Sequence, residues 1–209
     1  TASEGDMTTL AGLTETTNAI SISVTDASVD ATALNALNAK TTGVITLTGT
    51  TLTGTVSAIE TAFAANTAGS ISGITNINVT ADGSITMAEA NDLIALNGTG
   101  IVTATITEQD LTTLVAGGTG INSGGDAAVD HVINITVARQ ISASDGVPLD
   151  ESINAGNLKT LESRTAGLIT VTAPSIEGNY DDFLDVFEFN SPDDADGNPD
   201  PNHANRTIT

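Results

Sequence analysis

The chain has 209 residues, of which 39% are apolar but only 2% aromatic, and its 26 acidic residues against 5 Lys and Arg give a formal charge of −21. Such a charge excludes nucleic acid as a partner, because phosphate binding needs a basic surface, and it equally disfavours anionic membranes. With no cysteine there is neither a disulfide nor a thiol metal or redox site, and no apolar run approaches membrane-spanning length, so membrane insertion is not expected.

In chain order, residues 1–13 read as a polar lead-in with a partial helix from Asp6. Ile20, Ile22 and Val24 then alternate with Ser21, Ser23 and Thr25, the period-two pattern of a half-buried strand. Asp26 and Asp30 precede an Ala/Leu run in which Leu34 and Leu37 share a helical face, and Gly43 stops it. Alternation resumes at 44–48. The same succession recurs in degenerate form, with helices at 55–65, 86–96, 107–115 and 151–163 and strands at 71–79, 101–106, 132–137 and 168–172.

One strand, turn and helix cannot bury its own apolar face, and the spacing falls in the range of stacked repeats. The expected fold is therefore an α/β solenoid over residues 1–174, with one parallel sheet and short helices along its opposite side. A Gly-rich insertion at 117–130 would protrude from it. After Pro174 the composition changes: Tyr180, Phe183, Phe187 and Phe189 are interleaved with acids, and residues 175–209 are expected to form an acidic aromatic cap and an irregular tail.

Two stretches carry cation-binding patterns. Asp194, Asp196, Asn198 and Asp200 place an oxygen at every second residue, as the first half of an EF-type Ca²⁺ loop does, although Gly197 is not at the sixth position and Asn205 stands where a bidentate Glu would close the site. Asn78, Thr80, Asp82 and Glu89 fit loop positions one, three, five and twelve when Gly83 is the sixth, with weaker ligands. Because this turn recurs at 142–152 and near 25–28, it is also explained by Asp and Gly making a turn and the next Thr or Asp capping a helix. Ca²⁺ is the cofactor these oxygens imply.

Ser21, Ser23, Thr46, Thr48, Thr103, Thr105, Thr170 and Thr172 would form a ranked hydroxyl surface suited to ordered water, ice or glycans, or simply a solvated strand face. His131 and His203 lie in no recognisable nucleophile or zinc motif and read as surface residues.

TDASVDATALNALNAKTTGVITLTGT, GTVSAIETAFAANTAGSISGI and TADGSITMAEANDL resemble the Ala/Thr/Gly-rich repeats of large secreted, haemolysin-type surface proteins of marine cyanobacteria, and related phage fibre repeats. The haemolysin nonapeptide GGxGxDxUx is absent. The resemblance implies an exported structural or adhesive role at a cell surface or on a virion fibre rather than a reaction. The expected function is a self-associating building block of a fibre or array, stabilised by Ca²⁺ at the acidic loops and without catalytic residues. The alternatives are a solenoid binding ice or polysaccharide through its Thr/Ser face, and a polysaccharide-degrading enzyme.

Overall fold

The computed structural model describes residues 9–12, 14, 18–121, 131–140, 152–180, 182, 186 and, in their backbone, 206–208. Strands β1 (Ile22–Val24) and β2 (Ser28–Asp30) lead into helix α1 (Ala31–Asn38), and β3 (Ile45–Leu47) and β4 (Thr51–Gly54) into α2 (Val56–Thr67). β5 (Ile71–Ser72) and β6 (Asn78–Ile85) precede α3 (Met87–Asn97), and β7 (Val102–Ile106) precedes α4 (Leu111–Val115). β8 (Val132–Val137), β9 (Ser152–Asn154), α5 (Ala155–Glu162), β10 (Ile169–Val171), β11 (Ser175–Glu177) and β12 (Arg206–Ile208) follow.

The helices start where short polar side chains take up free backbone donors. Asp30 Oδ1 accepts from Ala33 N–H at 2.8 Å, and Thr55, Asp110 and Asn154 do the same for α2, α4 and α5. Leu34 and Leu37 are fully buried, as their three-residue spacing requires.

The strands are parallel, but not in one sheet. They form three all-parallel sheets with interleaved helices: β1-β3-β5, then β2-β4-β6-β7-β8-β10 with β12 beside β10, and β9-β11. The single-sheet solenoid is thereby overturned. In the first half, the expected strands at 20–25 and 44–48 are each followed, past a bend, by a second strand that was not expected, and the two enter different sheets. The bends are tight: a Cβ at Gly49 would lie 2.2 Å from the Asp26 carbonyl oxygen, and one at Gly73 (φ 87°) 2.1 Å from that of Leu47.

The expected strand over 71–79 is broken in the same way, by Gly73 and by Asn76 at φ 59°. Nor is there a fixed period to justify the expectation of a repeat protein, since Ile22 pairs with Ile45 and Ile45 with Ile71, whereas Ile135 pairs with Ile169. None of the sheets closes or curls.

Two compact units divide the chain, Thr1–Ile85 with Asp92–Ala104 and Thr86–Asn91 with Thr105–Thr209. In the first, α1 lies against α2, and Val24, Val29, Leu34, Ile45, Leu52 and Ile59 are fully buried. In the second, α4 lies against α5 around Leu111, Leu114, Ile133, Val137 and Leu161. Past Pro174, β11 pairs with β9, and Tyr180 is 74% exposed, while Phe183, Phe187 and Phe189 lie outside the described residues. Among the described residues no helix is long and apolar enough to cross a membrane.

Candidate functional site: hydroxyl ranks and sheet edges

Parallel register sets residues of equal side-chain direction beside one another across a sheet. In the first unit Ser23 pairs with Thr46 and Thr46 with Ser72, and the Ser72 hydroxyl lies 3.1 Å from that of Thr46. A second rank joins Asp30, Thr53 and Thr80, with the Asp30 carboxylate taken up in capping α1. In the second unit Thr136 pairs with Thr170. The division of the strands among sheets splits the expected hydroxyl surface into these short ranks.

Several hydroxyls are also already engaged. Thr48 Oγ1 donates to Val24 O at 3.2 Å and Thr172 Oγ1 to Val137 O at 3.5 Å, so each offers mainly lone pairs to anything outside. The one aromatic of the first unit's described residues with a placed side chain, Phe63, is buried, so the Ser23, Thr46 and Ser72 rank has no ring beside it on which a sugar could stack.

The weaker cation pattern is distributed over other tasks. Asn78 Oδ1 accepts from Ile101 N–H at 3.1 Å, and the chain runs on through Asp82 as strand β6, with Gly83 at φ 71°. Glu89 Oε2 accepts from Thr86 N–H at 2.7 Å and from the Thr86 hydroxyl at 2.8 Å, while Glu89 N–H donates back to Thr86 Oγ1 at 3.2 Å. This reciprocal pair is the capping box of α3. Asn78 and Asp82 belong to the first unit and Glu89 to the second. Among the described residues no three His, Asp or Glu side chains gather as a metal-holding group, and Asp194, Asp196, Asn198 and Asp200 lie outside those residues.

The two hydrogen bonds from Thr86 hold the Glu89 carboxyl below its ordinary value. A depressed carboxyl stabilises the fold above its unfolded pKa and loses that contribution as pH falls through the lower folded value. An NMR titration should therefore find Glu89 titrating below a free glutamate, and Thr86→Ala, which removes the hydroxyl but keeps the backbone N–H, should raise it part of the way. Equal midpoints in the two proteins would show that the hydroxyl of Thr86 does not bond the Glu89 carboxylate.

No protein-family model, curated protein or solved structure matches this chain.

Three polar residues that the sequence did not single out organise the second unit. Thr165, buried, accepts from Ile133 N–H and Gly167 N–H, both at 2.9 Å, and its hydroxyl faces the carbonyls of His131 and Ile133. Asp110, 2% exposed, accepts from Thr112 and Thr113 N–H, and its Oδ2 lies 3.9 Å from Arg139 Nε. Arg164 donates to the carbonyls of Leu114, Val115 and Ile121, holding the end of α4. His131 is buried, not a surface residue, and His203 lies outside the described residues. The Thr-x-Gly stops at Thr41 and Thr165 were the one visible signal: Thr41 repeats the Thr165 arrangement in the first unit with Ile20, Gly43 and Asn18.

The sheets also end in open edges. In the β1 and β3 ladder Ile22 N–H donates to Val44 O and Val24 O accepts from Thr48 N–H. Alternation along a parallel strand then turns the Ser23 N–H and C=O away from β3. Among the described strands β1 and β2 each stand at the end of a sheet, and β12 stands at the end of the second unit's ladder.

Proposed function

We propose that this chain is an extracellular structural or adhesive building block that joins copies of itself through its sheet edges, with Ca²⁺ or other cations relieving the repulsion between acidic surfaces. The observation that carries this reading is the pair of unlike open edges: β2 ends its sheet in the first unit and β12 ends the ladder of the second, and every strand of that sheet runs parallel. Unpaired edge groups are templates for a further strand. Joining unlike edges of successive copies is heterologous, and such contacts propagate into open filaments unless a rotation closes them. A charge of −21 opposes contact between copies until ions screen it, which at physiological salt confines repulsion to about 8 Å. A second reading, a face for ice or polysaccharide, is favoured by the rank Ser23, Thr46 and Ser72.

The test is sedimentation of the full chain across NaCl and CaCl₂ concentrations, with Ser28→Pro as the variant: Thr51 N–H donates to Ala27 O, so alternation turns the Ser28 N–H on β2 away from β4. Association rising with either salt is expected. Proline removes an outward N–H and is tolerated on an edge strand, so the variant should melt near the native temperature yet associate less. A native chain that stays monomeric throughout overturns the reading, and monomers retained on a polysaccharide matrix would transfer the assignment to the hydroxyl face.

A further inference from the structure

We infer that the Asn97 side chain holds a single internal water molecule at the end of α3. Asn97 closes that helix, is 1% exposed, and has neither Oδ1 nor Nδ2 in a hydrogen bond. Two other asparagines are each engaged on one side: Asn35 Nδ2 donates to Ala58 O at 2.8 Å, and Asn91 Nδ2 to Gly120 O at 2.9 Å. Asn97 is different in that both halves of a strongly polar amide are left over, a burial that costs several kcal/mol without compensation.

The chemistry of the two atoms selects the occupant. A cation would serve Oδ1 and leave the amide protons unmatched, and an anion would do the reverse. Water both donates and accepts. In a primary amide the C=O and the N–H syn to it point the same way, so one water can donate to Oδ1 and accept from Nδ2 together. Turning the amide over exchanges the two atoms and leaves the argument unchanged.

The surroundings are polar enough to complete the water's shell. A Cβ at Gly100 would lie 2.1 Å from Ile77 O and 2.5 Å from Asn97 Nδ2, so the bare Cα of Gly100 brings a backbone carbonyl and the amide to one place. Asn76 Oδ1 lies on the same segment and is bound to Thr99 N–H at 3.1 Å. Buried waters occur about once per 27 residues and take two to four polar partners, which this site provides.

The experiment is a pair of NOE and ROE spectra edited on the Asn97 side-chain amide and the Gly100 N–H, with the solvent resonance as source. Water cross-peaks of opposite sign in the two spectra, the mark of a molecule resident for longer than a nanosecond, are expected on both groups. In Asn97→Leu the cross-peak on Gly100 should vanish. A native amide without such a peak overturns the inference, as does a Gly100 peak that survives in Asn97→Leu. If the variant does not fold, the native spectra decide alone.

Discussion

Gly43→Ala will destabilise the protein by about 3 kcal/mol, the upper part of the range for forcing a methyl into filled space. An added Cβ would lie 2.4 Å from both the carbonyl carbon and oxygen of Ile20 and 2.7 Å from Ser21 N. These are backbone atoms leading into β1, so relief requires moving the strand away from β3 and stretching the bond from Ile22 N–H to Val44 O. The control is Gly117→Ala, where nothing lies within 4 Å of the new methyl. That variant should unfold within about 0.5 kcal/mol of the native protein, as surface substitutions do. Urea unfolding of both variants measures the difference. If Gly43→Ala matches its control, the close passage of residues 43 and 20 is wrong.

Thr165→Val should cost about 2 to 4 kcal/mol. Valine preserves the shape of the side chain but strands two buried donors, Ile133 N–H and Gly167 N–H, each at a desolvation cost of about 1 to 3 kcal/mol. Thr165→Ser keeps the hydroxyl and should recover most of the loss, which separates the hydrogen bonds from the packing of the methyl. Thermal unfolding in which valine and serine behave alike would remove the hydroxyl from the account.

These two sites mark where the sequence was legible and where it was not. The element types could be read because they rest on local physics. Leu34 and Leu37 three apart make a buried helical face, Asp30 caps it, and Thr86 with Glu89 announces the start of α3. Parallel pairing followed from the short strand and helix alternation. The partition into sheets did not. Thr51, Leu52 and Thr53 alternate as well as residues 45–47 do, yet nothing local says that the bend between them sends the two strands to different neighbours.

That decision is made by the carbonyls of Asp26 and Leu47, which come against Gly49 and Gly73 from far along the chain. Thr165 was hidden for a similar reason. A threonine before a glycine reads as a polar stop, and its four backbone neighbours become apparent only when residues 131–133 arrive beside it. Of the hydroxyl surface, the residue types were visible, while the ranks they form depend on a register that no single strand encodes.

The pairing register has a kinetic consequence as well. Ile22 meets Ile45, Thr51 meets Asn78, and Ile135 meets Ile169, so each ladder closes a loop of intermediate and similar length. Because closure entropy grows only with the logarithm of loop length, the shortest of these contacts gains about 0.3 kcal/mol over the longest. No ladder therefore has an entropic head start. The transition state for folding should be diffuse within each unit, its location set by whichever helix is most stable locally, with fractional φ-values spread over several strand pairs rather than concentrated in one.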